Sequence, residues 1–366
     1  MTGKHIVVIG AGYAGLSAAA GIGRGPDRVT LIAPEQRFGH RVRQHEIAAG
    51  RRVARPEIAR VLRGRRVVHL ATRAVALDLA AREVRTEDGG RVGYDTLVYA
   101  RGSRTAWGDV PGAAEHAYSA ERAEELRGRL TADPAPATLA VVGGGATGIE
   151  LAAELAEAYP DRQVRLVAAG QVGGWLSERG RAHVLAVLGR LGVRVHEHHR
   201  VTVVTADGLV CEGADADGPG RAGAELPAQV VVWAASMEPH PLAAASGLAV
   251  NARGRALVDE HLRSRSHPEV HVVGDAAAVE VPGIGELRMA CATAMPQGRY
   301  LAKLLTGRTD EPFSYRYVTQ CLSLGRGEAL VQLIHGDDSM RPRVLTGVAG
   351  RLVKAGIVKG LPLSLR

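Results

Sequence analysis

Cysteine is scarce: Cys211, Cys291 and Cys321 are the only three in 366 residues, an odd and widely spaced set. That excludes a disulfide scaffold and a cysteine-based zinc site, and it fits a reducing cytoplasm. Aromatic residues make up 4%, with two Phe and three Trp, too few for base-stacking platforms. Lysine occurs only at Lys4, Lys303, Lys354 and Lys359, so the net charge of +8 rests on arginines scattered along the chain. Without a dense basic stripe, no nucleic-acid partner is expected. Long apolar runs are missing too. The first, residues 6–9, is cut by Gly10 and is too short for a signal peptide or membrane span, so the fold is expected to start at this strand. What remains is 46% hydrophobic and 23% charged, the composition of a globular protein, which excludes disorder, collagen-like repeats and coiled coil. At about 150 residues per domain there is room for two or three.

One arrangement occurs twice. Residues 5–9 are apolar and β-branched, GAGYAG follows at 10–15, residues 16–22 read as a helix, and RVTLIA at 28–33 is a second strand. Residues 139–142, GGGATG at 143–148, a helix over 149–158 and a strand over 163–168 repeat that order. Each is a βαβ unit. In such a unit a pyrophosphate sits against free backbone N–H groups at the helix N-terminus, where a side chain would block it. The first glycine makes the turn, the second admits the phosphate and the third packs helix on strand. Two further apolar strands end in glycine, TLVYARG at 96–102 and HVVGDA at 271–276. An Asp at such a strand end lies where doubly wound sheets bind ligands and can accept hydrogen bonds from sugar or ribityl hydroxyls.

GAGYAG, TLVYARG, GGGATGIE at 143–150 and VVGDAA at 272–277 resemble the two-dinucleotide-binding-domain flavoproteins, which are pyridine nucleotide-disulfide oxidoreductase-like. The branch is that of type II NADH:quinone oxidoreductases and apoptosis-inducing-factor-like proteins, and the resemblance spans about residues 5–335. It implies an α/β fold of two Rossmann-like three-layer domains, the second inserted in the first, plus a small C-terminal region. FAD would be held by 1–106 and 241–310, NADH or NADPH by 107–240, and residues 311–366 would cover the flavin. Residue by residue, Gly10, Gly12 and Gly15 would hold the FAD pyrophosphate, with Ala100, Gly102 and Gly274 beside it and Asp275 on the ribityl chain. Gly143, Gly145 and Gly148 would hold the nicotinamide nucleotide, and Glu150 would lie beside the nicotinamide. The segment 37–50 would run along the isoalloxazine, with Arg43 as a flavin contact and His45 as a proton donor. Met295, Gln297 and Gln320 would face the acceptor, with Cys321 beside Gln320. No metal site is expected.

The departures from this pattern carry information. The carboxylate for the adenosine ribose is expected about 20 residues after the third glycine. Counting from Gly15 gives Glu35, two residues beyond the strand end at Ala33; counting from Gly148 gives Ala168, with no carboxylate until Glu178. No arginine follows directly either, the nearest being Arg165 and Arg179. Either dinucleotide binds weakly, or the second fold is partly vestigial, or the adenosine is held by backbone and residues 172–175. Residues 37–60 contain no cysteine, which excludes a redox dithiol at the flavin, and Cys291 with Cys321 read as small core residues. At 291–298 the chain reads CATAMPQG, with Ala292 and Pro296 where the quinone reductases carry two glutamines. Met295 then offers an apolar surface and Gln297 a displaced amide. Ser236, where a glycine is common in the resembled family, crowds the dinucleotide path.

Three segments have competing readings. Residues 348–358 mix Leu352, Val353, Ile357 and Val358 with Arg351 and Lys354, either the last helix packed on the domain or a basic amphipathic helix on a membrane surface. His196 to His199 lie in an alternating strand pattern over 192–204 and read as structural or solvated rather than metal ligands. Residues 213–227 read as an exposed hairpin loop. The function expected is an FAD-dependent oxidoreductase passing electrons from NAD(P)H to a quinone-like or other flat organic acceptor. Alternatives are a tailoring flavoenzyme acting on an aromatic or quinoid intermediate, and a low-turnover flavin redox sensor. Oligomeric state is left open.

Overall fold

The computed structural model describes residues 3–132, 137–213 and 221–363. Both βαβ units form. In the first, β1 (His5–Ile9), α1 (Tyr13–Ile22) and β2 (Arg28–Ile32) are followed by a short α2 (Gln44–Ala48), β3 (Val67–Leu70) and β4 (Thr96–Tyr99). In the second, β5 (Ala117–Ser119) and β6 (Thr138–Val142) lead through α3 (Ala146–Ala158) to β7 (Gln163–Val167). From there α4 (Glu178–Arg190), β8 (Arg194–His196), β9 (His199–Thr205) and β10 (Val230–Trp233) follow. The chain then returns to the first sheet as β11 (Val270–Val272), runs through α5 (Cys291–Leu305), and ends in β12 (Thr319–Ser323), β13 (Ala329–Ile334), β14 (Met340–Leu345) and α6 (Gly347–Leu363).

The first sheet has the order β11-β4-β1-β2-β3 and the second β8-β7-β6-β10-β5, all neighbours parallel. Parallel sheets need cover on both faces, hence the near-continuous apolar strands. In the second sheet the alternation is visible: Leu139, Val141, Val230 and Val232 pack with α3 and α4, while Ala140, Val142, Val231 and Trp233 pack against the antiparallel sheet that begins with β9. In the first, α1 and α5 cover one face. Their backbones approach closely because the facing residues are small; a Cβ on Gly298 would stand 2.2 Å from the Ala14 carbonyl oxygen, and one on Gly21 2.5 Å from Ala302 Cβ.

Two local expectations are corrected. The strand pattern over 192–204 divides into β8 and β9, which belong to different sheets, because His198 adopts a left-handed turn at φ 58°. Of the expected loop over 213–227, residues 214–220 lie outside the described residues, but Arg221–Pro227 is a strand paired with Gly208–Gly213. The amphipathic segment near the C-terminus is helical, as α6.

His271 in β11 is 5% exposed, its Nδ1 3.3 Å from the His261 carbonyl oxygen, and burial pushes its pKa down to about 4. The unfolded chain, with a histidine near 6.5, binds more protons than the folded one between these values, so stability falls as pH drops through this window. Lowering the pH to 5 should remove on the order of 2 kcal/mol that His271→Leu retains. Denaturant titrations of both proteins at pH 7 and 5 check this; an equal pH loss in the variant refutes it.

Candidate active site at the two glycine turns

The site is assembled from strand ends. At the first turn, Gly10 has φ +98°, and a Cβ there would stand 2.4 Å from the Ala100 carbonyl oxygen. A Cβ on Gly15 would stand 2.0 Å from the Gly10 carbonyl oxygen, so both positions exclude side chains for packing reasons. Gly12 differs: nothing lies within 4 Å of its added Cβ, because it faces a cavity of about 850 Å³ at the α1 N-terminus. This is the opening a pyrophosphate needs. The second turn repeats the division. Added Cβ atoms would strike backbone at Gly143 and Gly148, and Gly145 is open onto a second cavity of about 400 Å³.

Glu35, Ala100, Gly102, Gly274 and Asp275 line the large cavity, as do Gly10 and Gly12. Ser103 donates a hydrogen bond to Asp275 Oδ2 at 2.6 Å, which fixes the carboxylate at the end of β11. Carboxylates at Glu35 and Asp275 flank a glycine turn that a phosphate can approach, so the residues present fit FAD.

Glu150, on α3, is where the elements converge. Its Oε1 accepts from Lys354 Nζ at 2.9 Å and from the Ser323 backbone N–H at 2.9 Å, and its Oε2 lies 3.7 Å from His45 Nδ1 on α2. Lys354 also donates to the Cys321 carbonyl oxygen at 3.0 Å, joining α6 to β12. Burial pushes the Glu150 carboxyl up, but the Lys354 ammonium and His45 outweigh it and hold it below its ordinary value. Burial likewise lowers His45, which is neutral at pH 7, whereas the attraction of Glu150 keeps Lys354 charged despite its burial. The wall of the cavity therefore holds a carboxylate, an ammonium and a neutral imidazole.

Three expected contacts lie elsewhere. Arg43 is turned away from the cavity, its Nε and guanidinium NH2 donating to Glu46 at 2.6 and 2.7 Å. Arg41, two residues earlier, lines the cavity instead. Met295 packs in the core of the first sheet. Gln297, 1% exposed, accepts from the Gly274 N–H at 2.6 Å, and so shapes the Gly-Asp loop from behind. Residues 291, 292 and 294 of α5 line the cavity, while the bond from the Gly274 N–H holds the Gln297 amide beneath the Gly-Asp loop. Gln320 lines the cavity, with Cys321 beside it. The thiols of Cys291 and Cys321 are free, and burial raises both, Cys291 to about 11, so neither is a thiolate at neutral pH. Among the described residues no cluster of His, Cys, Asp and Glu is placed to hold a metal ion, and no helix is long and apolar enough to cross a membrane.

Sequence reasoning missed Lys354 as a site residue, reading it as part of an amphipathic helix. Its rarity was the available signal, since it is one of four lysines in the chain.

Known proteins resemble this chain in sequence and in fold. The chain is 30% identical over 339 residues to an NADH dehydrogenase-like protein of Mycobacterium tuberculosis, covering 84% of this chain and 82% of that one. It is 29% identical to the type II NADH:quinone oxidoreductase Ndh of the same organism, covering 85% and 75%. Among solved structures, NDH2 of Plasmodium falciparum in complex with NADH has the same fold, with a TM-score of 0.82 at 14% identity over 99% and 96% of the two chains. The sulfide:quinone oxidoreductase of Aquifex aeolicus has it too, with a TM-score of 0.78 at 20% identity over 99% and 92%. Residues 4–298 match the pyridine nucleotide-disulphide oxidoreductase family. The chain belongs to that family, as an FAD-dependent NAD(P)H oxidoreductase without a redox dithiol.

Proposed function

We propose that the protein carries electrons from NAD(P)H to a quinone-like, flat organic acceptor that enters beside α6. The observation that carries this reading is the Glu150–Lys354 ion pair with His45 next to it, in the wall where the flavin cavity opens between α3, β12 and α6. FAD, when bound, supplies hydride acceptance and onward electron transfer. Reduction of a quinone consumes two protons with its two electrons, and the side chains here are suited to deliver them. Lys354 holds a proton against Glu150, and His45, neutral and 3.7 Å from the carboxylate, passes one on as the pair recharges. Gln320, Leu322, Ile357 and Val358 line this side, an apolar mouth with one amide that suits a flat carbonyl acceptor. The quinone reductases among the relatives support the same acceptor class.

Helix α6 also exposes Val348, Leu352, Val353 and Ile357, with Arg351 beside Leu352. We assign to this face a contact with the membrane surface, where apolar quinones dissolve. Residues 1–106 and 241–310 are assigned to FAD, 107–240 to the dinucleotide and 311–366 to the acceptor side.

Anaerobic titration with NADH and NADPH, followed by rapid mixing with a soluble naphthoquinone, tests the reading. The flavin band should bleach with at least one donor and return on the millisecond to second scale with the quinone. Bleaching without return would discard the quinone and favour a tailoring enzyme, consistent with Ala292 in place of a glutamine.

A further inference from the structure

The second cavity raises a question of ligand chemistry that strand spacing leaves open. In a dinucleotide fold, the residue ending the second strand meets the adenosine ribose, and a carboxylate there binds its 2′-hydroxyl. Here that residue is Ala168, 4% exposed, and among the described residues no carboxylate lines the cavity. Glu197 is near in sequence to the cavity's far wall but is engaged elsewhere, accepting from Arg181 at 2.6 Å on both oxygens and from the Val172 N–H at 2.5 Å.

A cation reaches this place from another sheet. The His198 and His199 N–H groups donate to the carbonyl oxygens of Gly170 at 3.3 Å and Ala168 at 2.8 Å, splicing the start of β9 onto the end of β7. Arg200 follows at once. It is exposed, it lines the cavity, and it has no ion pair or side-chain hydrogen bond among the described residues. An unengaged guanidinium in the wall beside the strand end, with no carboxylate lining the cavity among the described residues, is the arrangement that recognises a phosphate monoester through charge-assisted paired hydrogen bonds.

We propose that the second cavity takes a dinucleotide phosphorylated on the adenosine 2′-hydroxyl, NADPH rather than NADH, and that Arg200 reads the phosphate. The proposal rests on the assignment of this cavity to the electron donor, and it names which donor.

The test uses the flavin-loaded protein and two probes that lack nicotinamide, ADP-ribose and 2′-phospho-ADP-ribose, with binding measured by calorimetry. The phosphorylated probe should bind at least tenfold tighter. Arg200→Ala should remove that advantage while leaving ADP-ribose affinity within twofold; because Arg200 is exposed and unpaired, the variant should fold as the parent does. Ala168→Glu should reverse the preference in favour of ADP-ribose. Anaerobic flavin reduction should follow the same order, faster with NADPH in the parent and level between donors in Arg200→Ala. Equal affinity of the parent for the two probes, or an equal loss for both in Arg200→Ala, overturns the proposal. If neither donor bleaches the flavin while the Arg200-dependent probe preference is found, the reductase reading falls and the phosphate site stands.

Discussion

Lys354→Met should leave the flavin reducible by NAD(P)H yet slow its reoxidation by quinone at least a hundredfold. Among the described residues the lysine is the sole cation within hydrogen-bond distance of Glu150, and the pair is largely enclosed, with side-chain exposures of 16% and 11%. Removing it leaves a buried carboxylate whose charge is opposed only by the Ser323 N–H and a neutral imidazole. The carboxyl then rises, since the burial that raises it is no longer outweighed. Two consequences follow. Stability should drop by roughly 3 kcal/mol, the usual result of breaking one half of an enclosed pair. The acid limb of the reoxidation profile, which the depressed Glu150 carboxyl places below the ordinary glutamate range in the parent, should move toward neutrality. The sign for stability is the same: a lowered carboxyl contributes above its unfolded value and loses that contribution as pH falls through the folded one. The double variant Glu150→Gln with Lys354→Met separates the two effects. It should recover most of the stability, because no bare charge remains, and none of the rate. Unchanged reoxidation in Lys354→Met would remove the pair from the proton path.

Gly12→Val should yield a folded, colourless protein, with FAD affinity down at least a hundredfold, while Gly15→Ala should fail at folding instead. The distinction is geometric. Gly12 has φ −72° and ψ −169°, an ordinary extended conformation, and its added Cβ meets nothing within 4 Å. A valine there is tolerated by the chain and fills only the space where the pyrophosphate must approach the α1 N-terminus. The added Cβ of Gly15 meets the Gly10 carbonyl oxygen at 2.0 Å, which no rotamer relieves. That contact must be cleared by moving α1 off β1, at a cost on the order of 3 kcal/mol or more. Circular dichroism with the flavin absorbance of the purified proteins decides both. A yellow Gly12→Val protein would mean that the pyrophosphate lies elsewhere in the cavity.

Much of the fold is legible from local pattern. The paired strand, glycine turn and helix are written in short apolar runs and in glycines that the backbone itself requires, and they fall within a few residues of their observed bounds. Helix α1 begins at Tyr13 rather than 16, because the N-terminal turn of such a helix includes the glycine motif. The candidate site is legible where it follows directly from a strand end, as at Asp275, Gly12 and Gly145, which line the two cavities. His45 and Glu150 were legible through a resemblance, and the structure brings them within 3.7 Å of each other although 105 residues separate them. The failures are of two kinds. Arg43 and Gln297 sit in the expected segments, but a salt bridge to Glu46 turns the first away and a hydrogen bond from the Gly274 N–H holds the second beneath the Gly-Asp loop.

The other kind is contact between segments that no spacing relates. Lys354 meets Glu150 across 204 positions, and Arg200 lines the second cavity where β9, a member of a different sheet, is hydrogen-bonded to the end of β7. The sequence by itself therefore determined two nucleotide folds, the cofactor turns and the absence of a dithiol, since each depends on neighbouring residues and on backbone geometry. The tertiary structure decided which charged side chains line each of the two cavities. Those depend on how separate elements pack, and side chains that pair across a cavity leave no periodic trace in the chain.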